Sequence, residues 1–390
     1  MPSPFLPPCS LCFTALLWLM PAAASEWRVD LGPEDALYPV LDLSQAGHRD
    51  ARPGDRAFGD GSGLLQVEVR ASRDGQRVRL RLEAAHLQQP ASLDVRLAHT
   101  GERYLLRPKL DWDRQRLDDL HATTTEVLDL TLEVEGEALE QRRVEARLHP
   151  LDEALYFARD GGERVDLSWI FAAYADPRDA TVDDLLARAR AAHPELRFGG
   201  YEDADADAVL AQTYALWEAV QTHGVRYADE DPGLARGPRL WSQRVRRHGE
   251  VWEERRANCL DGSLLLAAAA ERLGLHAVLL LVPKHALLAI HTRADGSAPA
   301  FIETTVLGES RLPLREEPAF TQQLDGRTDN AALGSFEAAL AAGNTRYRRD
   351  ARRFGQHDPN YQWIDLATAR AYGILPLSTS APAPVAASTQ

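Results

Sequence analysis

Cysteine is scarce in this chain, with three among 390 residues. Two of them, Cys9 and Cys12, stand within the first 24 residues, a stretch that carries no charged side chain. There an apolar run from Leu11 to Met20 is followed by Ala22, Ala23 and Ala24 and then Ser25-Glu26. A short apolar core ending in small residues reads as an export signal, residues 1–24, although the customary basic start is missing. It is too short to cross a hydrocarbon layer of about 30 Å. Inside such a leader the C-x-x-C spacing is hydrophobic filler rather than a metal or redox pair, and neither cysteine follows the apolar run as a lipid-bearing one would. Loss of the leader leaves 366 residues with a single thiol, Cys259, which excludes a disulfide framework within the chain.

Other absences narrow the function. No later apolar stretch reaches 18 residues, so no transmembrane anchor is expected and the mature chain should be periplasmic or secreted. Positive charge is in deficit: the formal net charge is −14, which argues against a nucleic-acid partner. The local exceptions, Arg244 to Arg247 and Arg346 to Arg353, read as solvated faces. There is no glycine-rich phosphate loop and no internal repeat. His276 and His291 give no closed ligand spacing with Cys259, so neither zinc nor any cofactor is expected. Oligomeric state leaves no mark on the sequence.

What is present divides into two patterns. Residues 25–150 alternate apolar and polar side chains with a period of two, as in Leu65–Arg70, Val78–Leu82, Leu93–Leu97, Tyr104–Leu106, Leu128–Val134 and Val144–Leu148. Ser72-Arg-Asp-Gly75 supplies a turn between the first two. This predicts an antiparallel β-sandwich domain, with no titratable groups gathered into a recognisable constellation, in a support or binding role. From 151 to 377 helical spacing takes over. Asp203, Asp205 and Asp207 precede an apolar stripe through Val209, Leu216, Trp217 and Val220 that finishes at His223-Gly224. A polar loop from Tyr227 to Pro238 follows. A second helix should open at Cys259 and stop at Gly274, followed by a buried strand to Val282, a strand Ala286–His291, a turn at Asp295-Gly-Ser297 and a strand Ala300–Thr304. The fold class is therefore α+β. Residues 378–390, rich in Ser, Thr, Ala and Pro, should form a disordered tail.

A thiol nucleophile needs its thiolate stabilised, which a helix N-terminus provides, and a base held by an acceptor. Cys259 opens a helix. His285 lies 26 residues on, at the start of a strand, and Glu303 a further 18 residues on, where antiparallel pairing can bring it beside His285. Singly, a cysteine before an apolar helix or a histidine on an apolar strand is ordinarily an inert core residue. Their order and contexts together point to a triad.

The run Arg256-Ala-Asn-Cys259-Leu-Asp-Gly-Ser263, then Val282-Pro-Lys-His285-Ala286, then Phe301-Ile-Glu-Thr-Thr305, resembles the transglutaminase-like superfamily over residues 205 to 310. Ile364 to Leu377 echoes the end of bacterial members. The resemblance implies a papain-related α+β core preceded by the β-sandwich domain, with Cys259 as nucleophile, His285 as base and Glu303 as the orienting acid. It implies an exported cysteine-dependent acyl-transfer enzyme acting on peptide or carboxamide bonds of a peptide or protein substrate, a protease or amidase more than a cross-linking enzyme. The other reading is a noncatalytic binding or scaffold protein of the cell envelope. Two departures stand out: Lys284 replaces a usual glycine, and Glu303 replaces the commoner aspartate. Strand alternation should turn Lys284 to the opposite face from His285. Gln243 and Trp241 are the candidates for a second oxyanion donor beside the Cys259 N–H, and Asp261 is read as favouring the helix start.

Overall fold

The computed structural model of the chain describes residues 26–45, 56–61, 63–160, 162–202, 204–229, 239–313, 317–324, 326–356 and 358–378. The expected leader, with Cys9 and Cys12, and the tail beyond 378 lie outside the described residues. The fold is mixed α+β and divides into two compact units. Described residues 26–167 and 239–243 make the first, and 168–229 and 244–378 the second.

The period-two pattern builds the first unit. In the strand Gln76–Glu83, Val78, Leu80 and Leu82 are at most 1% exposed while Arg79 and Arg81 point to water. Across the pairing Leu80 meets Leu132 and Val78 meets Val134, so apolar partners share the inner face. On the outer face Arg77 and Arg79 converge on Asp94. This five-stranded sheet runs Ala36–Leu37, Glu140–Leu148, Thr124–Val134, Gln76–Glu83, Ala91–Leu97. A four-stranded sheet of Trp27–Asp30, Gln66–Arg70, Arg103–Arg107 and Ala57–Gly59 shares one core with it. Val67, Val69, Tyr104 and Leu106 from one sheet pack with Val78, Leu80, Leu130 and Leu132 from the other. Each such side chain contributes about 2 kcal/mol by leaving water. The sheets depart from pure antiparallel order at two short strands, Ala36–Leu37 and Ala57–Gly59, which pair in parallel with their neighbours.

The titratable groups of this unit that meet do so as pairs inside it. His86 Nδ1 lies 2.6 Å from the buried Glu126. His149 Nδ1 lies 2.8 Å from Glu153, which also bonds Ser242, and Tyr38 stacks on the imidazole at 4.1 Å. All four residues of the second cluster are buried, so they cross-link the interior rather than face a substrate.

The second unit is built on a four-stranded antiparallel sheet ordered Pro299–Ile302, His285–His291, Ala277–Val282, Gln362–Asp365. Leu288, Ile290 and Ile302 of one face meet Leu266 and Ala270 of the helix Cys259–Arg272, Trp217 of the helix Ala206–His223 and Phe336 of the long helix Asn330–Gly355. Val278, Leu280, Leu287 and Phe301 of the other face pack with Tyr347, Phe354 and Trp363. The long helix thus serves both faces by crossing the edge strand, and Gly343 is what lets it cross. A Cβ at that position would sit 2.3 Å from the Phe301 carbonyl oxygen. Among the described residues no helix is long and apolar enough to cross a membrane.

Candidate functional site

The helix Cys259–Arg272 starts where it does because Asn258 caps it. Asn258 Oδ1 accepts from the N–H groups of Leu260 and Asp261, both at 2.9 Å, and Asp261 Oδ2 accepts from the Asn258 N–H at 3.3 Å. This reciprocal box satisfies three of the amides that a helix start leaves unpaired. Asp261 is therefore a helix-start residue, as its position suggested. It is 1% exposed and also binds Arg246, through the Arg246 N–H at 3.1 Å and Nη1 at 3.2 Å. Burial pushes its carboxyl above the usual range, against the pull of these partners.

Cys259 is the first residue of that helix, a free and half-buried thiol. Its carbonyl accepts from Ser263 Oγ at 2.7 Å and from Thr304 Oγ1 at 3.0 Å. Gly262 admits this approach: a Cβ there would meet Leu307 Cδ1 at 3.1 Å and Thr304 Cβ at 3.4 Å. The segment carrying Glu303 is thereby tied to the segment carrying the thiol.

His285 begins its strand directly after the two-residue turn Pro283-Lys284, with Val282 as its partner across the hairpin. Lys284 sits at φ 62° and is exposed. It belongs to the turn rather than to the strand, so alternation does not govern where it points. Proline followed by a left-handed residue fits a type II turn, in which glycine is the natural second residue. The departure at Lys284 is one of backbone cost, not of chemistry beside the ring.

Glu303 presents both carboxylate oxygens to His285 Nε2, at 3.0 and 2.8 Å. The same carboxylate caps the short turn Thr304–Val306 through the Thr305 N–H at 3.2 Å, and the Glu303 N–H donates to Ala339 O on the long helix at 3.1 Å. Nε2 is thus occupied by Glu303, and Cys259 is close enough to the ring to act on its charge. Burial disfavours the imidazolium, but the hydrogen bonds and charges of Cys259 and Glu303 outweigh it and raise the His285 pKa from 6.5 to about 9. For Glu303, burial is likewise overcome, mainly by the His285 hydrogen bond and charge, and its carboxyl lies below the usual range.

Trp241 and Gln243 are on the strand Leu240–Arg244, in the first unit, where Trp241 packs on Phe157 at 4.4 Å with Arg159 over its ring. Within the second unit another side chain answers to the site. Tyr227, placed by sequence at the head of a polar loop, instead pairs in parallel with Ala257, two residues before Cys259. Its phenol feels the charges of Cys259 and Glu303. The sequence around it marks only an aromatic residue three positions past the helix stop at Gly224, which does not reveal the pairing. His276 and His291 stand at the far end of the hairpin, joined by the His291 N–H to His276 O bond of 3.0 Å. Among the described residues no three ligand-bearing side chains form a group that could hold a metal ion.

Comparison with family models, with curated proteins and with solved structures finds no match to this chain.

Proposed function

We propose that the second unit is an exported, cysteine-dependent acyl-transfer enzyme of transglutaminase-like, papain-related type, acting on peptide or carboxamide bonds. The observation that carries this reading is the His285 ring held by Glu303 on Nε2 with Cys259 near enough to act on its charge, the thiol standing at a helix start and open to solvent in part. A noncatalytic scaffold has no use for an imidazole kept cationic beside an accessible sulfur.

The chemistry follows from the contacts. The Cys259 thiolate adds to the carbonyl carbon, and the developing oxyanion is met by the Cys259 N–H, which the Asn258 cap leaves unused. The cap bonds go to Leu260 and Asp261 instead. His285 gives its proton to the departing amine as the C–N bond breaks, leaving a thioester on Cys259. It then takes a proton from the incoming water or amine as that attacks, and the thiol is regenerated. Glu303 holds Nε2–H, so the Nδ1 edge is the one that exchanges protons. Water as acceptor gives hydrolysis, the outcome favoured here over cross-linking.

The test is acylation by p-nitrophenyl acetate at pH 7. The protein should release a burst of one p-nitrophenol per chain, absent in Cys259→Ala. Reaction no faster than that of a small free thiol would remove the reading.

A further inference from the structure

We propose that Tyr227 is a catalytic residue of this site, its phenol donating the second hydrogen bond to the oxyanion beside the Cys259 N–H. The inference rests on the acyl-transfer reading above. It names a donor from within the second unit, a side chain other than Trp241 and Gln243.

Backbone geometry sets Tyr227 between the two segments that carry the reacting groups. The Ala228 N–H donates to Ala257 O at 2.9 Å, locking this strand to the approach to Cys259. The Tyr227 N–H donates to Leu307 O at 2.9 Å, locking it to the turn that follows Glu303. Gly308 allows this closeness, since a Cβ there would lie 2.5 Å from Arg226 Cγ. The side chain is half-buried, neither sealed in the core nor loose in water.

The phenol has the right protonation state. Burial, then the charges of Asp229 and Cys259, raise its pKa from 10 to about 12, so it keeps its proton across the neutral range and can only donate to an oxyanion. Its hydroxyl is engaged with Asp229 Oδ1 at 3.4 Å, a long bond to an exposed carboxylate. Such a bond is cheaply exchanged for one to a negative oxygen in a drier place. Asp229 keeps the phenol protonated and leaves it free to turn. Tyrosine at 227 is then chosen for its hydroxyl, and phenylalanine would fill the same space without it.

Two reactions of Cys259 separate this role from a structural one. Alkylation by iodoacetamide displaces iodide and builds no oxyanion, whereas acylation by p-nitrophenyl acetate must pass through one. In Tyr227→Phe, acylation should fall about a hundredfold or more while alkylation of Cys259 keeps its wild-type rate. Unchanged acylation, or a parallel fall in both reactions, overturns the role of Tyr227. If the wild-type thiol reacts with neither reagent faster than a small free thiol, it is the acyl-transfer reading itself that fails.

Discussion

His285→Ala should slow alkylation of Cys259 by iodoacetamide at pH 6 by about a hundredfold, and the deficit should close as pH rises past about 9. With the ring cationic below about 9, a positive charge stands beside the sulfur across the neutral and mildly acid range, and a neighbouring cation favours the reactive anion of a thiol. An ordinary thiol of pKa about 8.5 is ionised to only about 0.3% at pH 6. Removing the ring takes that charge away, and at high pH, where its cation is lost in the wild type as well, both proteins should react alike. Glu303→Gln should give a weaker version of the same change, because the amide still holds the ring but no longer opposes its charge. Equal rates for wild type and His285→Ala at pH 6 would separate the histidine from the thiol. Acyl transfer to poor leaving groups should show the opposite limb, failing as pH rises through about 9, since the departing amine then finds no proton on His285.

Asp261→Ala should lower unfolding stability by about 3 kcal/mol, read from denaturant midpoints at neutral pH with an unchanged m-value. Three hydrogen bonds end on this buried carboxylate, two from Arg246 and one from the Asn258 N–H. Its loss opens half of the capping box and strips the nearest countercharge from a guanidinium that is 8% exposed. Glu250 and Glu254 remain 3.6 and 3.7 Å from Arg246, which keeps the cost toward the low end of what breaking a buried pair entails. The raised carboxyl pKa says that burying this charge is itself costly. Its return is placement: it fixes the residue before Cys259, and with it the direction in which the sulfur leaves the helix. A loss under about 1 kcal/mol would mean that the box and ion pair do not hold the helix start.

Local rules made much of this legible from sequence. Asp205 and Gly224 bound one helix as an acidic start and a left-handed stop, with the Asp205 carboxylate on the Ala208 N–H and Gly224 at φ 97°. Alternation found the inner faces of the two sheets that share a core, and the spacing from Cys259 to His285 to Glu303 fitted one helix, one hairpin and one returning strand. What stayed hidden was long-range. Nothing near Tyr227 announces a parallel pairing with Ala257, and nothing near Glu153 announces Ser242, 89 residues away. Lys284 looked like a chemical departure because sequence shows its charge and not its positive φ. Gly343 reads as a weak point in a helix until the Phe301 carbonyl is seen beneath it.

The most direct measurement is the titration of the His285 ring by nitrogen-15 NMR in wild type and in Cys259→Ala. A histidine with its folded-state pKa above 6.5 contributes stability that is complete below about 6.5 and lost as pH rises through the folded value. The ring should therefore titrate near 9 in the wild type, as a property of the coupled pair, and fall toward the ordinary range once the sulfur is gone. A ring that titrates at 6.5 or below, unmoved by loss of Cys259, would contradict the account.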